Sequence, residues 1–245
     1  MNSFQKNKLN FFNTIWKKVF FVWLVLSFLI LLLAPIFSGK PETTPFIALS
    51  VFISAVLAFI VGNFKSHFSE KIRKINLGTG WKFFIIGGLF AFLLESEFWL
   101  VRTIFNVAIT AHQNYFINLG LTMPWYLGMT FLFYKVQKKY KYSLYSILIL
   151  GGIYSFFIEG VVKTLLGGVP LPFFILFALI FPINVLSYSC VVFCPSVLLR
   201  EELLAKTKKE IGKRKYFYAM LPLLGILALV PIVIIFGIVR NFVRG

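Results

Sequence analysis

The sequence predicts an all-α fold, a polytopic integral membrane bundle of about seven transmembrane helices, and three observations carry that prediction. Hydrophobic residues make up 59% of the 245-residue chain, and the mean hydropathy is +0.87. The charged residues are gathered into short blocks between long apolar runs, a pattern that water-soluble domains do not show. Finally, the stretch Gly87-Gly88-Leu89-Phe90-Ala91-Phe92-Leu93-Leu94-Glu95 recurs 64 residues later as Gly151-Gly152-Ile153-Tyr154-Ser155-Phe156-Phe157-Ile158-Glu159, with four identities and five conservative exchanges. Each copy places two small residues and a carboxylate four apart on one helix face.

The elements follow in order, within one transmembrane domain, 1–245. Lys6, Lys8, Lys17 and Lys18 precede an apolar run over 19–37 that is too long for a signal-peptide core, so it reads as a retained first span. Further runs cover 46–64, 83–104, 121–137, 143–163, 172–199 and 217–239. At about 1.5 Å per residue each can cross a hydrocarbon core of about 30 Å, the fourth only just. The sixth run is long and carries Pro182 and Pro195, which marks it for a break or a re-entrant portion. Residues 65–82 form a basic loop, and the basic loop over 200–215 is long enough for an amphipathic surface helix.

Counted alternately across these boundaries, 20 of the 25 Lys and Arg fall on one side. The positive-inside rule then puts the N-terminus in the cytoplasm and the C-terminus outside, and the expected location is the cell membrane. The +17 net charge lies beside the spans, so its expected partners are the bilayer and anionic lipid head groups, and not nucleic acid. In this topology the third and fifth spans run in the same direction. The copies are therefore a parallel repeat of helix pairs, the third and fourth spans (81–139) matching the fifth and sixth (145–199). In that register Pro124 lies at the opening of the fourth span and Pro182 early in the sixth.

A charge near the bilayer centre costs about 2.5–3.5 kcal/mol on insertion scales, so intramembrane ionisable residues need a partner or a function. Glu95 lies about 18 Å along its helix from Phe83, in the outer half of the membrane, and the repeat gives Glu159 the same depth. Glu95 shares a face with Trp99 and Arg102, whereas Glu97 points elsewhere, toward the outer interface. Lys163, one turn beyond Glu159, is placed to pair with it. Asn184, Trp125 and Tyr126 lie at comparable depth and complete an outward-facing candidate pocket.

The chain contains no Asp, which excludes Asp-based metal and diphosphate motifs, and it lacks GxSxG, HExxH and a GK[ST] phosphate loop. No metal site and no cofactor are expected, and Cys190 and Cys194 read as packed small hydrophobes. Two carboxylates facing each other in a low-dielectric site do not both carry charge cheaply, so the pair can hold and exchange a proton. The sequence therefore favours a transporter or permease-like protein over an enzyme. One alternative is an intramembrane enzyme acting on a lipid or isoprenoid by glutamate acid/base chemistry. Another is a membrane scaffold or subunit in which the repeat serves packing alone.

Overall fold

A computed structural model describes residues 15–38, 43–162, 178–207 and 214–229, and these are mostly helical and contain no strand. Among the described residues, five helices are long and apolar enough to cross a membrane. They are α1 (Ile15–Ser38), α2 (Thr44–Asn63), α4 (Thr79–Phe105), α5 (Tyr115–Lys139) and α7 (Phe181–Leu198). The short helix α3 (Lys65–Arg73) follows α2, and α6 (Leu144–Ser155) continues into a π-helical segment, Phe156–Val162. After α7 come α8 (Arg200–Lys206), α9 (Arg214–Tyr218) and a 3₁₀ stretch, Leu221–Leu229. Of the seven expected spans, the fifth is a shorter apolar helix and the seventh is described only as far as Leu229.

Local chemistry sets several boundaries. Asn106 ends α4 in the left-handed conformation at φ 52°, which Asn tolerates better than most side chains, and its N–H donates to the Arg102 carbonyl. Asn114 caps α5 by accepting from the Ile117 N–H, and Ser143 caps α6 by accepting from the Ser146 N–H. Pro182 sits in the first turn of α7, where its missing N–H costs nothing. The part of the sixth run over 172–177, where a break or re-entrant portion is expected, lies outside the described residues. Pro195 is accommodated close to the end of α7, and α8 starts directly beyond Leu199.

α7 is the axis of the bundle. Every residue in it except Phe181 and Leu186 is buried, and it packs against α1, α2, α4, α5 and α6. Small residues permit the closest approaches, as is usual between membrane helices. A Cβ added at Gly152 would stand 2.7 Å from the Val185 Cα, and one at Gly151 would stand 3.1 Å from the Ser189 Cα. On the other pair of helices Gly87 meets Thr130 and Gly88 meets Leu127. Gly128 of α5 lies against Gly225 of the 3₁₀ stretch in the same manner. The outer surface is apolar: Phe59, Ile36 and Ile104 are each about 70% exposed, a finish suited to lipid and not to water.

Among the described residues, the basic segments over 65–82, 135–141 and 200–215 converge at one end of this bundle. Arg73 of α3 meets Glu201 of α8 at 2.6 Å, and Lys82 meets Glu202 at 3.0 Å. Arg200 donates to the Tyr142 carbonyl, and Lys139 lies 4.0 Å from the ring centroid of Tyr218. Neither basic loop is irregular throughout: the first forms α3, none of whose residues is buried, and the second forms α8 at its start and α9 near its end. At the opposite end the start of α2 meets the end of α4 through Phe46 and Phe105, whose rings are 4.8 Å apart.

Candidate functional site

The helix pair α4 and α5 builds the first half of the site. Glu95 is buried, and its carboxylate accepts from the Asn118 Nδ2 at 2.7 Å and from the Tyr126 Oη at 3.0 Å. Both donors lie on α5, two turns apart and therefore on nearly one face. The pair α6 and α7 builds the second half. Glu159, within the π-helical segment, accepts from the Tyr188 Oη at 2.8 Å.

The halves meet through the two tyrosines. The rings of Tyr126 and Tyr188 lie 5.4 Å apart at 45°, a tilted aromatic contact, and their hydroxyls are near enough to interact. Asn118, Glu95, Tyr126, Tyr188 and Glu159 thus form one polar chain between the two helix pairs. Phenolic hydroxyls both donate and accept, so such a chain can pass a proton between carboxylates when they differ in protonation.

The other expected site residues are distributed around this chain. Asn184 lies near it: its Oδ1 accepts from the Ser155 Oγ at 3.4 Å, while its Nδ2 is buried without a partner among the described residues. Trp125 is also buried, and its indole N–H has no such partner either. Lys163 lies outside the described residues. Trp99 and Arg102 do not join Glu95, although they share its helical face. Trp99 donates to the Gln113 carbonyl at 3.1 Å, and Arg102 donates to the Thr110 Oγ1 at 2.7 Å. The rise along α4 carries both side chains to the loop at its end, so they fasten that loop. Glu97 does point away from Glu95, but toward α2 instead of the outer interface. It accepts from the Ser54 Oγ at 2.9 Å.

Asn118 and Tyr188 are the members of the chain that sequence reasoning misses. The expected register pairs Pro124 with Pro182, an offset of 58, whereas Tyr126 and Tyr188 are offset by 62, close to the 64 that separates the glutamates. Searching two residues either side of Tyr126 plus 64 would have found Tyr188. Among the described residues no group of three His, Cys or Glu is placed to hold a metal ion. Cys190 and Cys194 are buried free thiols. A groove of about 390 Å³ lies between α1, α2 and α7, lined by apolar side chains including Phe28, Phe52 and Leu186, none of which belongs to the polar chain.

The fold and site together describe a helical protein of membrane-spanning type with ionisable groups held in its interior. Comparison with protein-family models, with curated proteins and with solved structures yields no match.

Proposed function

We propose that this chain is a membrane transporter in which Glu95 and Glu159 form a shared proton- or cation-binding site. The observation that carries the reading is the bridge: Tyr126 and Tyr188 each donate to one carboxylate and stack on each other, so the two acids act on a common locus. Desolvated carboxylates need protons or cations to offset their charge, and exchanging one for the other is the elementary step of proton-coupled transport. The proposal includes seven spans in the cell membrane, with the N-terminus and the converging basic end in the cytoplasm and the C-terminus outside. It also includes a parallel duplication of the α4–α5 and α6–α7 pairs. That duplication is supported by Thr130 and Val192 meeting Gly87 and Gly151, each four residues after the site tyrosine of its helix.

The test is reconstitution into liposomes loaded with a pH-sensitive dye, followed by imposed gradients of Na⁺ or K⁺. Cation-driven proton movement is expected for the native chain and should be lost in Glu95→Gln and in Glu159→Gln, whose amides keep the shape and hydrogen bonding of the carboxylates. Infrared difference spectra against pH supply a readout that needs no substrate: a carboxyl band should titrate in the native chain and change in both variants. Native-like proton movement with glutamine at both positions would return the pair to a packing role.

A further inference from the structure

A second polar cluster lies between α2, α4 and α7, away from the tyrosine bridge. Glu97 of α4 accepts from the Ser54 Oγ through its Oε2, while its Oε1 is shielded from solvent and has no hydrogen-bond partner. Ser50, one turn before Ser54 on α2, is near enough to interact with the same carboxylate. It is fully buried, and its hydroxyl also lacks a partner. From α7 the Cys190 thiol is the group that feels the Glu97 charge, and along α4 it is Glu95. Among the described residues no Lys, Arg or His forms an ion pair with Glu97. Native structures rarely leave buried oxygens unpaired, and one carboxylate oxygen and a neighbouring hydroxyl left so, with no counter-charge on the carboxylate, point to a ligand.

We infer that Glu97, Ser50 and Ser54 bind a small monovalent cation of the sodium class. The available donors are all oxygens, which suits a hard cation. A single carboxylate neutralises a single positive charge, whereas a divalent ion would leave net charge in the apolar interior. Ser50 and Ser54 lie four residues apart on one helix face, so their hydroxyls converge on the carboxylate from one side. This inference does not depend on the paired-carboxylate reading, because it uses neither Glu159 nor the tyrosines.

Thermal unfolding of the purified full chain, followed by intrinsic fluorescence at constant ionic strength with choline as the balancing cation, tests it. Na⁺ and Li⁺ should raise the unfolding temperature saturably, by about 5–10 °C at a hundredfold excess over the dissociation constant. Glu97→Gln and Ser50→Ala should abolish the rise, and Glu95→Gln should retain it. Ser50→Ala replaces a fully buried hydroxyl that has no hydrogen-bond partner, so it decides the matter even if Glu97→Gln fails to fold. Absence of a rise over choline, an equal rise with K⁺, or an undiminished rise in Ser50→Ala would overturn the assignment.

Discussion

Tyr126 and Tyr188 are chemically alike, and each donates to one of the two carboxylates. Tyr126→Phe removes one donor from Glu95, which keeps Asn118, and Tyr188→Phe removes the Tyr188 donor from Glu159. A hydrogen bond to a charged acceptor contributes about 1.5–3 kcal/mol, and more is lost when a buried group is left unsatisfied. Unfolding measurements should therefore show a loss of about 1–3 kcal/mol for each variant. The double variant should lose measurably less or more than the sum, because the two hydroxyls that are removed are near enough to interact. Additive losses would mean that the halves are energetically separate. At this scale the sequence is readable where a residue is repeated or costly: both glutamates and Tyr126 stand out for those reasons. Tyr188 does not, because an aromatic in an apolar run carries no signal until its partner is known. Trp99 and Arg102 mislead because a shared face does not imply a shared depth.

At the scale of the helix, the glycines separate two kinds of close contact. A methyl group at Gly87 would collide with the Thr130 Cγ2, a side-chain atom that a second substitution can remove. At Gly152 the obstacles include the Val185 Cα at 2.7 Å, which no substitution at 185 removes. Overpacking of this kind costs about 1–3 kcal/mol or more. Gly87→Ala should be rescued largely by Thr130→Ala, while Gly152→Ala should not be rescued by Val185→Ala, as unfolding of the four variants would establish. Equal rescue at both sites would show that α6 and α7 can move apart.

The same pair of segments shows where legibility ends. The nine-residue stretches match closely, yet Glu95 sits in regular α-helix and Glu159 in a π-helical segment. Ser96 follows the first and Gly160 the second, and glycine is the weaker helix former. A wider turn at Glu159 depends on what its neighbours accommodate, which local pattern does not encode. π-helical turns are frequent at functional positions.

For the whole molecule, the alternation of apolar runs with basic blocks foretold that the blocks over 65–82, 135–141 and 200–215 would gather at one end. It did not foretell the clasp that joins them. Burial tends to raise the Glu202 pKa, but hydrogen bonds from Thr79 and Lys82, with the charges of Lys82 and Lys206, outweigh it and hold the carboxyl below its ordinary value of 4.5. A depressed carboxylate pKa stabilises the fold at pH above the unfolded value, and that stability is lost as pH falls through the folded one. Acid unfolding of the native chain should therefore steepen below about pH 4.5, and Glu202→Gln should flatten that limb while lowering stability at neutral pH. An unchanged acid limb in the variant would remove Glu202 from the account. The exposed Arg73–Glu201 pair contributes far less, since water screens it on both sides.

The burial of α7 also bears on how such a chain can diverge. A substitution at nearly any of its 18 positions changes a contact with some other helix, because only Phe181 and Leu186 escape burial. Most of α1, by contrast, presents large apolar side chains outward, where one aliphatic serves nearly as well as another. Under selection for folding alone, the two helices would age at different rates. Descendants of this sequence would keep their likeness longest along 181–198, and their first helix would lose all trace of common origin while still doing the same work.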